Sequence, residues 1–258
     1  MSVLWPFFRK KIKMNHYIAC STRSSSNGNA LFIVLIAIGL LAALTMTLMR
    51  SDMTDTDSVS PEQAKVMASQ IMGQARGFEQ AVSSLLQKGC SEQTISFENT
   101  VVAGYANADA PSDDSCHVFE RAGAGLSWPS PPPGANDGSA WRMLGSNAVS
   151  GVSRSDDGTC ASGCIDFLAV LPNVSLNVCK QLNALARTAD ASDAPPVDQA
   201  NFDGTTKIAG VNGTAVGEPV LDGGSVLAGK RTGCFEPTNV DGASASGTYW
   251  FYHVMLVR

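Results

Sequence analysis

Ser60 to Lys88 reads SPEQAKVMASQIMGQARGFEQAVSSLLQK, and the fold is best read outward from it. Ser60 offers an N-cap hydroxyl, Pro61 suits the first helical position, Glu62 complements the helix dipole and Gln63 completes a capping box. Apolar residues then recur at Ala64, Met67, Ile71, Ala75, Phe78, Val82 and Leu85. Spacings of three and four put them on one face, so the pattern predicts an amphipathic helix over 61–88 with Gly89 as its stop. Gly73 and Gly77 each weaken its intrinsic propensity by roughly 1 kcal/mol relative to Ala. A single stripe needs a partner, which predicts packing on a sheet or on a second copy.

Toward the N-terminus, residues 50–59 are a short acidic linker carrying Asp52, Asp55 and Asp57. Before it, Ala30 to Met49 (ALFIVLIAIGLLAALTMTLM) holds no charge, and as a helix it would cover roughly 30 Å, the hydrocarbon thickness of a bilayer. It reads as one transmembrane helix over 30–49. No other run is long enough, which excludes a polytopic membrane protein. Residues 1–29 form a basic leader. Residues 1–50 carry a net +6 and no acid, the remainder a net −11, and the whole chain −5. Bases on the leader side predict an inner-membrane, single-pass protein, with its N-terminus cytoplasmic and its C-terminal domain periplasmic or extracellular. The run is longer than a signal-peptide core and ends Met46-Thr47-Leu48-Met49, a poor cleavage context, so it reads as a retained anchor in membrane lipid. The leader stretch Trp5 to Lys13 reads as a membrane-surface segment or as a solvated tail, with Met14 an alternative start.

Toward the C-terminus, 89–258 reads as a sheet-rich body. Twenty-four Gly and twelve Pro imply wide loops, and 44% apolar residues imply a core. Thr94 to Val102 and Cys116 to Phe119 read as short strands, and Cys164 to Leu171 (CIDFLAVL) as a buried one. Asn173 to Arg187 reads as a helix with Leu176, Cys179, Leu182, Leu185 and Ala186 on its apolar stripe, and Ala189 to Gly204 as a loop. The proline-rich segment WPSPPPGANDG at 128–138 cannot continue a sheet. TYWFYHVMLVR at 248–258 is apolar at alternate positions of both parities, which predicts a central strand covered on both faces. The expected class is α+β: an N-terminal transmembrane helix, then an amphipathic helix of an exported domain (60–258) on a mostly antiparallel sheet with long loops.

Chemistry-bearing residues are sparse. There is no G-x-S-x-G turn, H-E-x-x-H, P-loop or dinucleotide fingerprint, so no catalytic residue is assigned and no enzyme, cofactor or metal is expected. An anchored hydrolase would have to use His117 or His253. His117 lies near Asp113 and Asp114, and His253 reads as a residue of the last strand. The acidic turns at Asp113-Asp114 and Asp156-Asp157-Gly158 lack an EF-hand pattern and read as solvated turns. Net negative charge disfavours nucleic acid. Cys20 stands in the leader, leaving Cys90, Cys116, Cys160, Cys164, Cys179 and Cys234 in the body. The 160–164 spacing with Cys179 allows zinc, but no second short pair accompanies it, and disulfides are the simpler reading of an exported domain. Pairing neighbours along the chain gives 90–116, 160–164 and 179–234.

A basic leader ending in Gly28, an apolar helix directly after it and an α+β body with late cysteines resemble type IV pilins and pseudopilins. The resemblance covers about Arg23 to Met49. It implies cleavage by a prepilin peptidase between Gly28 and Asn29, and a helix that packs at the centre of an assembly. Gly39, Ala42 and Ala43 are then the small residues that admit close helix contact. Ile33 stands where that family carries a glutamate, and Asn29 where it usually has phenylalanine. The implied function is a pilin-like or pseudopilin-like subunit of a bacterial surface or secretion assembly, partnered by other such subunits and acting by helix packing. The alternative is a membrane-tethered periplasmic binding or accessory module that does not polymerise.

Overall fold

The computed structural model describes residues 32–41, 59–152, 165–210 and 220–257. The chain divides into two units, Met1–Met53 and Thr54–Arg258. In the first, residues 32–41 form a helix, α1, whose side chains are exposed on every face.

This corrects the expected transmembrane segment. Among the described residues no helix is long and apolar enough to cross a membrane. The described helical residues, 32–41, rise about 15 Å, half of a hydrocarbon core. The single-pass helix over 30–49 is overturned, and with it the inner-membrane location, cytoplasmic N-terminus and periplasmic or extracellular domain that rested on it. Residues 1–31 and 42–58, which include the leader, the rest of the apolar run and most of the linker, lie outside the described residues.

The second unit begins with α2, Pro61–Gln87. Its capping box is formed: Ser60 Oγ accepts from the Gln63 N–H at 3.3 Å, and Gln63 Oε1 accepts from the Ser60 N–H at 3.4 Å. Gly89, at φ 96°, turns the chain out of the helix, and the Cys90 N–H closes on the Leu85 carbonyl at 3.1 Å. The buried face runs Ala64, Ala68, Ile71, Met72, Ala75, Phe78, Ala81, Val82, Leu85. Alanine at four of these nine positions lets the helix lie close to what it covers.

What it covers is a sheet with the strand order β3-β5-β7-β2-β1-β4 and β6 paired to β5. The strands are β1 (Arg142–Val149), β2 (Asp166–Leu171), β3 (Val197–Phe202), β4 (Val220–Leu221), β5 (Thr232–Val240), β6 (Ala243–Ser244) and β7 (Trp250–Leu256). The class is α+β, and the sheet is mixed: four of its six described pairings are antiparallel and two are parallel. β1–β4 and β3–β5 are parallel, while β1–β2, β2–β7, β5–β7 and β5–β6 are antiparallel. The sheet curls toward a barrel. Its outer strands meet where the Asp198 carboxylate of β3 accepts the N–H groups of Asp222 and Gly223, just beyond β4, at 3.3 and 3.1 Å.

Curling gives the sheet two buried faces. Leu168, Val170, Phe202, Leu221, Phe235, Trp250, Tyr252 and Val254 fill its concave interior. Phe167, Ala169, Leu171, Phe251 and Met255 point the other way, onto α2 and α3 (Leu176–Ala186). β7 lies between β5 and β2 and alternates between the two cores, which is why its sequence is apolar at both parities. Phe78 anchors the helix side, with edge-on contacts to Trp141 at 5.3 Å and Phe119 at 6.2 Å between ring centroids.

Two expected strands are not strands. Residues 94–102 and 116–119 pair as strands would only at an isolated bridge between Ser96 and His117, because Asn99 turns the chain by accepting the N–H groups of Val101 and Val102. The segment instead forms wide loops held by buried asparagines. Asn107 Nδ2 donates to the carbonyls of Gln93 and Ile95, and Asn136 Nδ2 to those of Ser139 and Pro172. Asn147 and Asp203 exchange side-chain and backbone bonds at 2.8 and 3.0 Å. In each case an amide side chain takes the place of a missing strand neighbour.

Candidate functional site

The sequence-predicted residues fall in three places. Gly28, Asn29, Ala42, Ala43, Cys20, Cys160 and Cys164, and the Asp156-Asp157 turn, lie outside the described residues. Gly39 lies on α1, and a Cβ built there meets no atom within 4 Å. Cys90 and Cys116 form one disulfide, tying the end of α2 to the following loops; Cys179 and Cys234 form another, tying α3 to β5. These are two of the pairs that neighbour pairing along the chain selects. Among the described residues no three His, Cys, Asp or Glu side chains gather as metal ligands would. Asp113 is a turn residue, accepting from the Ser115 N–H, and His117 is buried with Nε2 3.7 Å from Asp114 Oδ1.

The described residues offer one cluster with the makings of a site, around His253. Alternation along β7 sends Trp250, Tyr252 and Val254 into the concave core and turns His253 toward α2. There Nε2 of the imidazole sits 3.0 Å from Glu79 Oε2, and Nδ1 sits 2.6 Å from Thr232 Oγ1 on the neighbouring strand. Burial, more than the opposing pull of Glu79, lowers the His253 pKa below its ordinary value, and Arg231 and Arg76 lower it further. The ring is therefore neutral at pH 7: it donates Nε2–H to Glu79 and accepts the Thr232 hydroxyl. Glu79 Oε1 also takes a salt bridge from Arg231 Nη2 at 3.1 Å.

This chain of bonds forms one wall of a cleft of about 420 Å³. α2 contributes Met72, Arg76, Glu79 and Gln80; the end of α3 contributes Leu185 and Ala186; Gly229, Lys230 and Arg231 enter from the turn before β5. Positions 72, 76 and 80 recur every fourth residue and so share one helix face. Lys230 Nζ donates to the Arg187 carbonyl at 3.1 Å. The cleft is thus cationic at its mouth, hydrogen-bonded along its back and apolar on one side. Such a surface can hold a small polar or anionic group.

Sequence reading singled out His253 but missed its partners. Glu79 and His253 stand 174 residues apart, and neither Thr232 nor Arg231 belongs to a motif. The signal available was the single polar residue in an otherwise apolar central strand. No protein family, curated protein or solved structure matches this chain.

Proposed function

We propose that the chain is a pilin-like structural subunit of a bacterial surface or secretion assembly, working by helix packing and not by catalysis. The observation that supports this reading is α1. Its large apolar side chains, Phe32 to Leu41, stand 48–64% exposed around the whole circumference. One partner surface covers one face of a helix; an all-round apolar helix calls for several neighbours at once. Copies of the same helix, gathered at the centre of an assembly, provide them. The open space at Gly39 is where two such helices can approach closely. The basic leader and the Gly28-Asn29 junction add the resemblance to prepilins, with a prepilin peptidase as processing partner.

Two measurements test the reading. The mature protein should begin at Asn29, as determined by N-terminal sequencing. Cross-linking and sedimentation of the full chain should show multimers that are lost when Gly39 and Ala43 are both replaced by Leu. A mature chain that keeps its leader, together with a monomeric wild type, would defeat the proposal.

A further inference from the structure

We propose that the cleft between α2, the end of α3 and the start of β5 binds a small organic carboxylate with a short aliphatic tail. Three cations reach it: Arg76 from α2, and Lys230 and Arg231 from the turn into β5. One carboxylate opposes them, and Glu79 is already committed, to Arg231 at 3.1 Å and to His253 at 3.0 Å. The cleft keeps an excess of two positive charges. The Arg76 guanidinium is paired with no residue among those described, and Lys230 uses one of its three donors on the Arg187 carbonyl.

The charge fixes the sign of the ligand, and the geometry narrows its class. A guanidinium presents a planar fork that matches a carboxylate with two parallel hydrogen bonds. Met72, one turn from Arg76 on α2, and Leu185 and Ala186 at the end of α3 supply apolar side chains that offer an aliphatic chain a surface. A volume of about 420 Å³ admits a head group and several methylenes. Inorganic phosphate would satisfy the cations but leave the apolar side chains unused. Neutral His253, held from behind by Thr232 and Glu79, keeps the back of the cleft rigid. The site stands whether or not the chain assembles through α1.

Hexanoate is a suitable probe, titrated into the full chain and followed by saturation-transfer NMR. Wild type should bind it with a dissociation constant in the millimolar range or tighter, as about one charge-assisted pair plus partial chain burial would give. Arg76→Gln should weaken binding roughly tenfold, and Arg76→Gln with Lys230→Gln further still. Arg76 is exposed, so its variant should retain the wild-type circular dichroism spectrum and unfolding midpoint. Hexylamine, with the same tail and the opposite charge, should not bind. The proposal is overturned if wild type shows no binding up to about 20 mM, if both variants bind as well as wild type, or if inorganic phosphate displaces hexanoate at equal concentration.

Discussion

Asn183 is where a small change should have a large and readable effect. It lies near the end of α3, and its side chain is buried against β5. Its Nδ2 donates to the Cys234 carbonyl and its Oδ1 accepts the Cys234 N–H, each at 2.8 Å. β3 begins its pairing with β5 only at Val197↔Glu236, so Cys234 has no strand beside it on that edge. Asn183 stands in for that strand. Asn183→Ala leaves two fully buried backbone groups unpaired, each worth about 1–3 kcal/mol, and relaxation should bring the sum to about 3 kcal/mol. Urea unfolding with both disulfides oxidised isolates the effect, because the Cys179–Cys234 tether stays in place. Asn183→Asp sharpens the test. It keeps the acceptor for the Cys234 N–H but sets a carboxylate oxygen against the Cys234 carbonyl. Burial and that carbonyl raise the folded-state pKa above the unfolded value of about 3.9. The native state then takes up the proton first, so this variant should recover stability as pH falls toward 4. A cost under about 1 kcal/mol for the alanine variant, or no acid recovery for the aspartate one, would refute the clamp.

Three further outcomes are expected. Replacing Cys179 and Cys234 with Ala opens a sequence separation of 55 and should cost about 4 kcal/mol; the Cys90–Cys116 pair, with a separation of 26, should cost about 3.5 kcal/mol, the small gap reflecting the logarithm in the chain-entropy account. Calorimetry of the two double variants checks both. Gly123→Ala would drive a Cβ to 1.8 Å from the His117 carbonyl oxygen, which is backbone and cannot swing aside. The loop must shift, and a loss of roughly 2–3 kcal/mol should appear in urea titration. For His253 burial holds the folded pKa below the ordinary imidazole value of about 6.5, so on acidification the unfolded chain binds the proton first. Stability should be at its plateau above pH 6.5 and fall below it, and His253→Gln should flatten that part of the profile.

Local rules carried the sequence reading where a segment is decided by its own residues. Ser60, Pro61 and Gln63 announce the start of α2, and the period of its apolar residues announces the buried face. The double-sided apolar pattern of 250–256 announces a central strand. β1, β3 and β5 were not legible. β1 holds Gly145, Ser146 and Asn147 at a bulge, β3 reads VDQANF, and β5 contains Pro237. Their strand character comes from neighbours supplied by distant parts of the chain, which overrides weak intrinsic preference. The transmembrane reading failed for the opposite reason. Composition over 30–49 predicts a spanning length, whereas among the described residues helix is seen at 32–41 and no helix is long and apolar enough to cross a membrane. The cleft was invisible because Arg76, Glu79, Arg231 and His253 meet only once the helix lies across the sheet.

The position of β7 has a consequence for biogenesis. It sits in the middle of the sheet yet comes after every other described strand in chain order, joining β2 to β5. During synthesis β1, β2, α3 and β5 emerge before the strand that unites them, so Phe167, Phe235 and part of the apolar face of α2 wait for the neighbours that β7 supplies. Folding of this unit cannot be completed stepwise from the ribosome; it must await residue 256 and then proceed as one cooperative event. A chain stalled a few residues short of that point would be a substrate for chaperones and proteases, however much of its sequence had already been made.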